Sequence, residues 1–166
     1  MANENGVANM KPVIRSRWLR AFIWLTTVLY GAVLIYLLFI RDRRHIVLSH
    51  PNILSWDRPY ANLIPFRTID GYLYHSDLYN FDVWFQVFFG NLVLFLPFGF
   101  LAPLLSGWMR SFPRFFIVLL LVLLGVELIQ KFTFTGAFDV DDIILNSIGA
   151  IVGYILSRLI FRSAKS

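Results

Sequence analysis

Four long apolar runs separated by short polar stretches dominate the pattern of hydrophobic and polar positions along the chain. They cover residues 18–40, 83–105, 113–131 and 140–161. Each run is long enough to cross a bilayer as a helix of roughly 20 residues. Backbone groups in hydrocarbon must find their hydrogen bonds inside the protein, which favours helices. The pattern therefore predicts an all-α integral membrane bundle of four transmembrane helices.

The polar stretches between these runs predict how the chain crosses the membrane. Residues 1–17 form a polar N-terminus, residues 41–82 one long loop, and residues 162–166 a short tail. With both termini in the cytoplasm, nine of the 15 Lys and Arg residues lie inside and six outside. This bias predicts cytoplasmic termini and places the 41–82 loop on the outer face of the membrane. The first run precedes "RDRRH" instead of small residues, so we expect an anchor rather than a cleaved signal, followed by one domain over 41–161.

Composition supports a membrane protein and excludes several functional classes. Hydrophobic residues make up 58% of the chain and charged residues 15%, with a mean hydropathy of +0.66. The net charge of +5 comes from basic residues flanking the apolar runs, which is typical of anchors for anionic headgroups and not of nucleic-acid binding. The absence of Cys excludes disulfides, thiolate metal sites and cysteine nucleophiles.

Acidic residues cluster between the third and fourth runs, in "ELIQKFTFTGAFDVDDIILN". Glu127 lies about one turn inside the third run, where a carboxylate is a functional candidate by default. The alternative to a functional role for Glu127 is a structural one, because Lys131 follows at i+4 and both side chains could reach the membrane–water interface. Gln130 shares the helical face of Glu127.

The aspartates that open the fourth run have a structural explanation that covers only part of the set. Asp139 is expected to be the N-cap, with Asp141 and Asp142 near the positive end of the helix dipole. Capping does not demand three acids. They could in principle hold Mg²⁺ or Ca²⁺, but capping explains them equally well, and neither zinc spacings nor nucleotide-binding motifs are present. We therefore predict no metal and no cofactor.

Small and amide residues continue along the fourth run. Asn146 lies one turn after Asp142, and Gly149 and Gly153 form a small-xxx-small pattern that predicts close helix packing or a homodimer. For Asn146 and for Asn91 in the second run, interhelical hydrogen bonding and ligand contact are both open. The two amides could also pair with each other.

Four stretches in this order resemble the VanZ-like family of membrane proteins: "NLIPFRTI", "NLVLFLPFGFLAPLL", "ELIQ" and "FDVDDIILNSIGAIVGY". The resemblance covers roughly the last 105 residues and implies a bacterial cell-membrane protein. The family's founding member is associated with resistance to teicoplanin-type glycopeptide antibiotics. Family members commonly carry an Arg where this chain has Ala137. By position, the family's recurring polar residues include Asn62, Arg67, Asn91, Glu127, Gln130, Asp139, Asp142 and Asn146. We expect these eight side chains to form a polar ligand-binding pocket.

Three functions are compatible with this pocket. The first is a protein without catalysis of its own, in which Arg67 contacts the phosphate of an envelope lipid or lipid-linked cell-wall precursor, or the pocket holds a lipophilic antibiotic. The second is a membrane enzyme with Glu127 as general base. The third is a small proton-coupled exporter. We prefer the first, because the acidic hairpin contains neither a His nor an identifiable nucleophile.

Overall fold

The computed structural model describes residues 16–40, 61–74, 81–133 and 135–163. Within these ranges, four helical segments are long and apolar enough to span a membrane: Arg17–Ile40, Phe88–Leu105, Phe112–Phe132 and Val140–Phe161. The predicted all-α membrane bundle is thereby confirmed. Most of the predicted outer loop, together with most of the N-terminal segment and the C-terminal tail, lies outside the described residues.

The elements follow one another in a simple order. The long helices are α1 (Arg17–Ile35, continued by a π-helical turn at Tyr36–Ile40), α3 (Phe81–Leu94), α4 (Leu96–Leu105), α5 (Phe112–Phe132) and α6 (Val140–Ser163). A short helix α2 (Arg67–Tyr74) precedes α3, and a 3₁₀ turn (Gly107–Arg110) joins α4 to α5. Two strands of two residues each, β1 (Ala61–Asn62) and β2 (Phe138–Asp139), pair in parallel. The sequence-based prediction of an all-α protein did not include this pair of strands.

The second predicted span consists of two helices, α3 and α4, with a break at Phe95. Pro97 lies in the first turn of α4. Backbone N–H groups in the first turn of a helix have no intrahelical acceptor, so a proline there costs α4 no hydrogen bond. At the break, the Leu94 carbonyl accepts a hydrogen bond from the Tyr30 hydroxyl of α1 at 2.9 Å. One backbone carbonyl at the interruption therefore has a partner on a neighbouring helix, in keeping with the need for internal hydrogen bonds in a bilayer.

Glycines allow α6 to approach α3 and α4 at backbone distance. A Cβ atom added to Gly149 would lie 1.8 Å from the Leu92 carbonyl oxygen, and one added to Gly153 would lie 2.0 Å from that of Leu96. The predicted close packing is present, but within one chain. A homodimer through these two glycines would have to displace α3 and α4, and homodimerisation remains a prediction.

The core lies where α4, α5 and α6 meet. Phe95, Phe115 and Leu119 are fully buried there, and the Phe115 ring stacks on Tyr154 with 4.5 Å between centroids. Helix α1 contributes less to this core, since Ile23 is its one buried residue and packs against Leu101, while Leu38 of the π-helical turn joins the core. The bundle is thus three tightly packed segments with a more peripheral first helix.

Candidate functional site

Acidic residues are concentrated at one end of the bundle, and most of the described arginines lie at the other end. The acidic end is formed by β1, α2, β2, the last turns of α5 and the first turn of α6, and it contains Glu127 and the three aspartates of α6 and β2. The basic end is the opposite one, where α1 and α5 begin and α6 ends. Among the described residues it carries Arg17, Arg20, Arg110, Arg114 and Arg158.

Asp141 is the structural centre of the acidic end, with 0% of its surface exposed. Its Oδ1 accepts from the backbone N–H of Phe66 at 2.5 Å. Its Oδ2 accepts from the N–H groups of Thr68 at 2.6 Å and Ile69 at 3.1 Å. These donors lie at the start of α2, where N–H groups have no intrahelical partner and favour a negative charge. Asp141 of α6 therefore caps α2 across the fold.

The segment that Asp141 holds has a strained backbone. Phe66 has a φ of +66°, a left-handed conformation that is uncommon outside glycine. Such conformations persist where surrounding contacts over-determine them. The bond from the Phe66 N–H to Asp141 supplies one such contact, which fixes the direction in which the chain enters α2.

Asp139 joins β1, α2 and α6. Its Oδ1 accepts from the Asp141 N–H at 2.8 Å, which is the N-cap bond that the sequence predicts. The same oxygen accepts from Asn62 Nδ2 at 3.0 Å, and Oδ2 accepts from the Thr68 hydroxyl at 2.7 Å. Asn62 and Asp139 are also partners in the β1–β2 register. One carboxylate thus binds three separate pieces of chain.

Glu127 and Gln130 share a face of α5, as predicted, and both are buried with 3% exposure. Glu127 Oε2 accepts from the Asp139 N–H at 2.9 Å, which places the carboxylate inside the bundle. Gln130 Nε2 donates to the Leu38 carbonyl in the π-helical turn at 3.1 Å. The first residue supports β2, and the second ties the end of the first span to α5.

Asn91 and Asn146 meet at Asp142 instead of pairing with each other. Asn91 Nδ2 donates to Asp142 Oδ1, and Asn146 Nδ2 donates to the Asp142 carbonyl at 2.8 Å. Both asparagines are buried. Among the described residues, Asn146 Oδ1 finds no hydrogen-bond partner. Interhelical hydrogen bonding, one of the two predicted roles, is therefore present between α3 and α6 through Asn91.

Arg67 differs from the other candidate residues because it is exposed. Within the described part of the chain, its guanidinium makes no hydrogen bond or ion pair. It follows three exposed apolar side chains, Leu63 at 68%, Ile64 at 58% and Phe66 at 60% exposure. We call residues 63–67 the presented loop. It displays apolar groups and one cation from a backbone that Asp139, Asp141 and Asn62 hold in place.

The structure thus brings seven of the candidate residues into the hydrogen-bonded acidic end and leaves Arg67 on its surface. Sequence reasoning missed Asp141 as a site residue and did not consider Thr68. It assigned Asp141 to the dipole of its own helix, and no spacing in the sequence links it to α2. In the described ranges, no group of three His, Asp or Glu side chains is placed to hold a metal ion.

Comparisons with known proteins agree with the resemblance seen in the motifs. The sequence model described as VanZ/LLP1 matches residues 27–162. A protein named VanZ, from Enterococcus faecium, is 27% identical over 125 residues, which cover 75% of this chain and 66% of that protein. The chain therefore spans just under two thirds of that relative. No solved structure matches.

Proposed function

The chain belongs to the VanZ/LLP1 family, and we propose that it is a non-catalytic protein of the bacterial cell envelope whose acidic end binds an envelope lipid or a lipophilic glycopeptide antibiotic of the teicoplanin type. The orientation that goes with this function has both termini in the cytoplasm and the acidic end on the outer face, in keeping with the distribution of Lys and Arg.

The observation that carries the proposal is the presented loop. Leu63, Ile64 and Phe66 are exposed at one end of a membrane bundle, where apolar side chains enter the boundary between headgroups and acyl chains. Arg67 lies next to them, and a guanidinium binds phosphate or carboxylate oxygens through two parallel hydrogen bonds. This combination suits an amphiphilic ligand that has an anionic group above an apolar body.

The rigidity of the loop adds to its suitability for binding. Asp141 accepts a backbone hydrogen bond from Phe66 in the loop and two more from Thr68 and Ile69 directly after it, so little conformational freedom is left to lose when a ligand arrives. Asp139 adds a bond from the Thr68 hydroxyl. A flexible loop of the same composition would bind more weakly, because ordering it would oppose association.

The hydrogen bonding of the aspartates favours binding over catalysis. A general acid or base needs an oxygen within reach of the proton that it transfers. Both oxygens of Asp139 and both oxygens of Asp141 already accept hydrogen bonds from the protein. They serve to build the loop, and Arg67 is the exposed cation beside its apolar side chains.

The test compares Arg67→Gln with the control Arg20→Gln, an exposed arginine at the start of α1. A deletion strain is complemented with each variant and with the wild type, membrane levels are matched by immunoblot, and teicoplanin and vancomycin susceptibilities are measured. We expect Arg67→Gln to behave like the deletion and Arg20→Gln like the wild type. Wild-type susceptibility for Arg67→Gln at matched levels would disprove a role of this site in tolerance.

A binding measurement identifies the ligand. Purified full-length protein is titrated with undecaprenyl phosphate in one arm and with teicoplanin in the other. Loss of a charge-assisted hydrogen bond should weaken binding of the true ligand by about tenfold or more in Arg67→Gln. The compound whose affinity falls in Arg67→Gln relative to the wild type is the ligand. Unchanged affinity for both compounds would refute the proposal.

A further inference from the structure

A second site is indicated at the basic end, independent of the proposed function. There, α1 and α4 enclose an apolar crevice of about 140 Å³. Two of the lining residues have polar side-chain atoms that already hydrogen-bond to the backbone. Thr27 Oγ1 donates to the Ile23 carbonyl at 2.7 Å, and the Tyr30 hydroxyl donates to the Leu94 carbonyl at 2.9 Å. The crevice thus offers apolar surface to its occupant. Its lining includes Thr27, Tyr30, Phe98, Leu105, Ser106 and Met109.

One arginine adjoins the end of this crevice, and a second lies near the first. Arg110 directly follows Met109, and its carbonyl accepts a hydrogen bond from the Tyr154 hydroxyl at 2.6 Å. Arg158 is four residues beyond Tyr154 and therefore lies on the same face of α6, one turn further toward the basic end. Arg110 Nε donates to the carbonyl of Pro103 at 3.5 Å, so its side chain lies against α4, the helix that lines the crevice.

The proximity of these two cations is unfavourable unless an anion accompanies them. Burial and the neighbouring Arg158 charge lower the pKa of Arg110 below its usual value. An arginine nevertheless stays protonated under ordinary conditions, so the repulsion persists. All acids of the described residues lie at the opposite end of the bundle, so within these residues no carboxylate lies at the basic end. An anion between the two guanidinium groups would offset their repulsion.

We propose that the crevice and the Arg110–Arg158 pair form one binding site for an anionic phospholipid of the surrounding membrane. One acyl chain occupies the crevice between α1 and α4, and the phosphate lies between the two guanidinium groups. The membrane supplies such a molecule at this depth, and basic pockets between transmembrane helices are suited to anionic headgroups. The lipid also fills the gap beside the peripheral helix α1, which links lipid binding to the packing of that helix.

The test uses delipidated full-length protein in mild detergent. It is titrated with dioleoylphosphatidylglycerol and with dioleoylphosphatidylcholine, which has the same acyl chains and no net charge, and bound lipid is measured by native mass spectrometry. We expect the wild type to prefer phosphatidylglycerol by about 30-fold, since each arginine near the headgroup contributes roughly 1 kcal/mol. The double variant Arg110→Gln/Arg158→Gln should lose this preference.

Two further variants separate the parts of the site. Arg114→Gln removes a charge at the same end, but this guanidinium lies over the Trp108 ring at 5.6 Å, so we expect the preference to remain. Thr27→Trp fills the crevice and leaves both arginines in place, so it should weaken the binding of both lipids. Equal affinity of the wild type for the two lipids would overturn the proposal. So would a loss of preference in Arg114→Gln as large as in the double variant, or unchanged lipid affinity in folded Thr27→Trp.

Discussion

Replacing Asp141 by Asn tests whether one buried carboxylate holds the presented loop. The substitution keeps the shape of the side chain but removes its charge and one of its two acceptor oxygens. Three backbone N–H groups, those of Phe66, Thr68 and Ile69, donate to the carboxylate. In Asp141→Asn, one oxygen must serve all three donors, and the new NH₂ group faces a donor that it cannot satisfy.

The expected size of the effect follows from these contacts. A hydrogen bond to a charged group contributes about 1.5–3 kcal/mol, and leaving a buried donor unsatisfied costs about 1–3 kcal/mol. The loss of one to two effective bonds should therefore favour opening of the loop by about 2–4 kcal/mol. At roughly 1.4 kcal/mol per factor of ten, this is an increase of about 30- to 1,000-fold in the open population. The transmembrane helices should be unaffected, because their packing does not involve this carboxylate.

Hydrogen–deuterium exchange of the full-length protein measures this opening directly. Amides of residues 61–74 should exchange faster in Asp141→Asn, while those of α5 and α6 keep wild-type protection. Asp70→Asn is the matched control, since Asp70 is an exposed acid in the first turn of α2. Its interaction with the helix dipole is at most about 1 kcal/mol, which limits the change to roughly fivefold. Wild-type exchange in Asp141→Asn would refute our reasoning, and loss of protection throughout the bundle would refute its local character.

Three further predictions concern the packing and orientation of the bundle. Gly149→Ala should lower the thermal stability of the detergent-solubilised protein severely, because its Cβ would lie 1.8 Å from a carbonyl oxygen, whereas Gly125→Ala, with nothing within 4 Å, should be neutral or slightly stabilising. Equal melting temperatures for the two variants would contradict the close contact. Tyr30→Phe should destabilise the bundle by about 0.6 kcal/mol, the usual value for one interhelical hydrogen bond in a membrane, measured by reversible unfolding in detergent; no loss would show that the bond to α3 contributes nothing. Because the chain contains no Cys, single cysteines report topology, and an impermeant maleimide added to intact cells should label Thr135→Cys but not Ser111→Cys. The reverse pattern would place the termini outside.

The spans could be predicted because their signal is local and strong. Hydrophobic length alone placed the third span at 113–131, and α5 is Phe112–Phe132. The N-cap at Asp139 was predictable for the same reason, since its partner, the Asp141 N–H, is two residues away. The small-xxx-small pattern of Gly149 correctly indicated close packing, but such a pattern does not specify the partner helix. The structure shows it to be α3 of the same chain.

The role of Asp141 could not be predicted, because its partners are 72 to 75 residues away in sequence. A helix dipole explained an acid at this position well enough that no further partner was sought. The β1–β2 pair was missed for a related reason. Two-residue strands have no measurable periodicity, and this pair exists because α2 and the start of α6 are brought together by the acids.

Four of the acids at this end have four different structural partners, which explains why capping alone did not account for them. Asp139 caps α6, Asp141 caps α2, Asp142 binds Asn91 of α3, and Glu127 holds the backbone of β2. Their clustering therefore does not by itself indicate acid–base chemistry. It also means that loss of function in any acid variant would report the collapse of the loop as readily as the loss of a ligand contact. Arg67, which the network positions but does not use, is the residue whose substitution separates binding from folding.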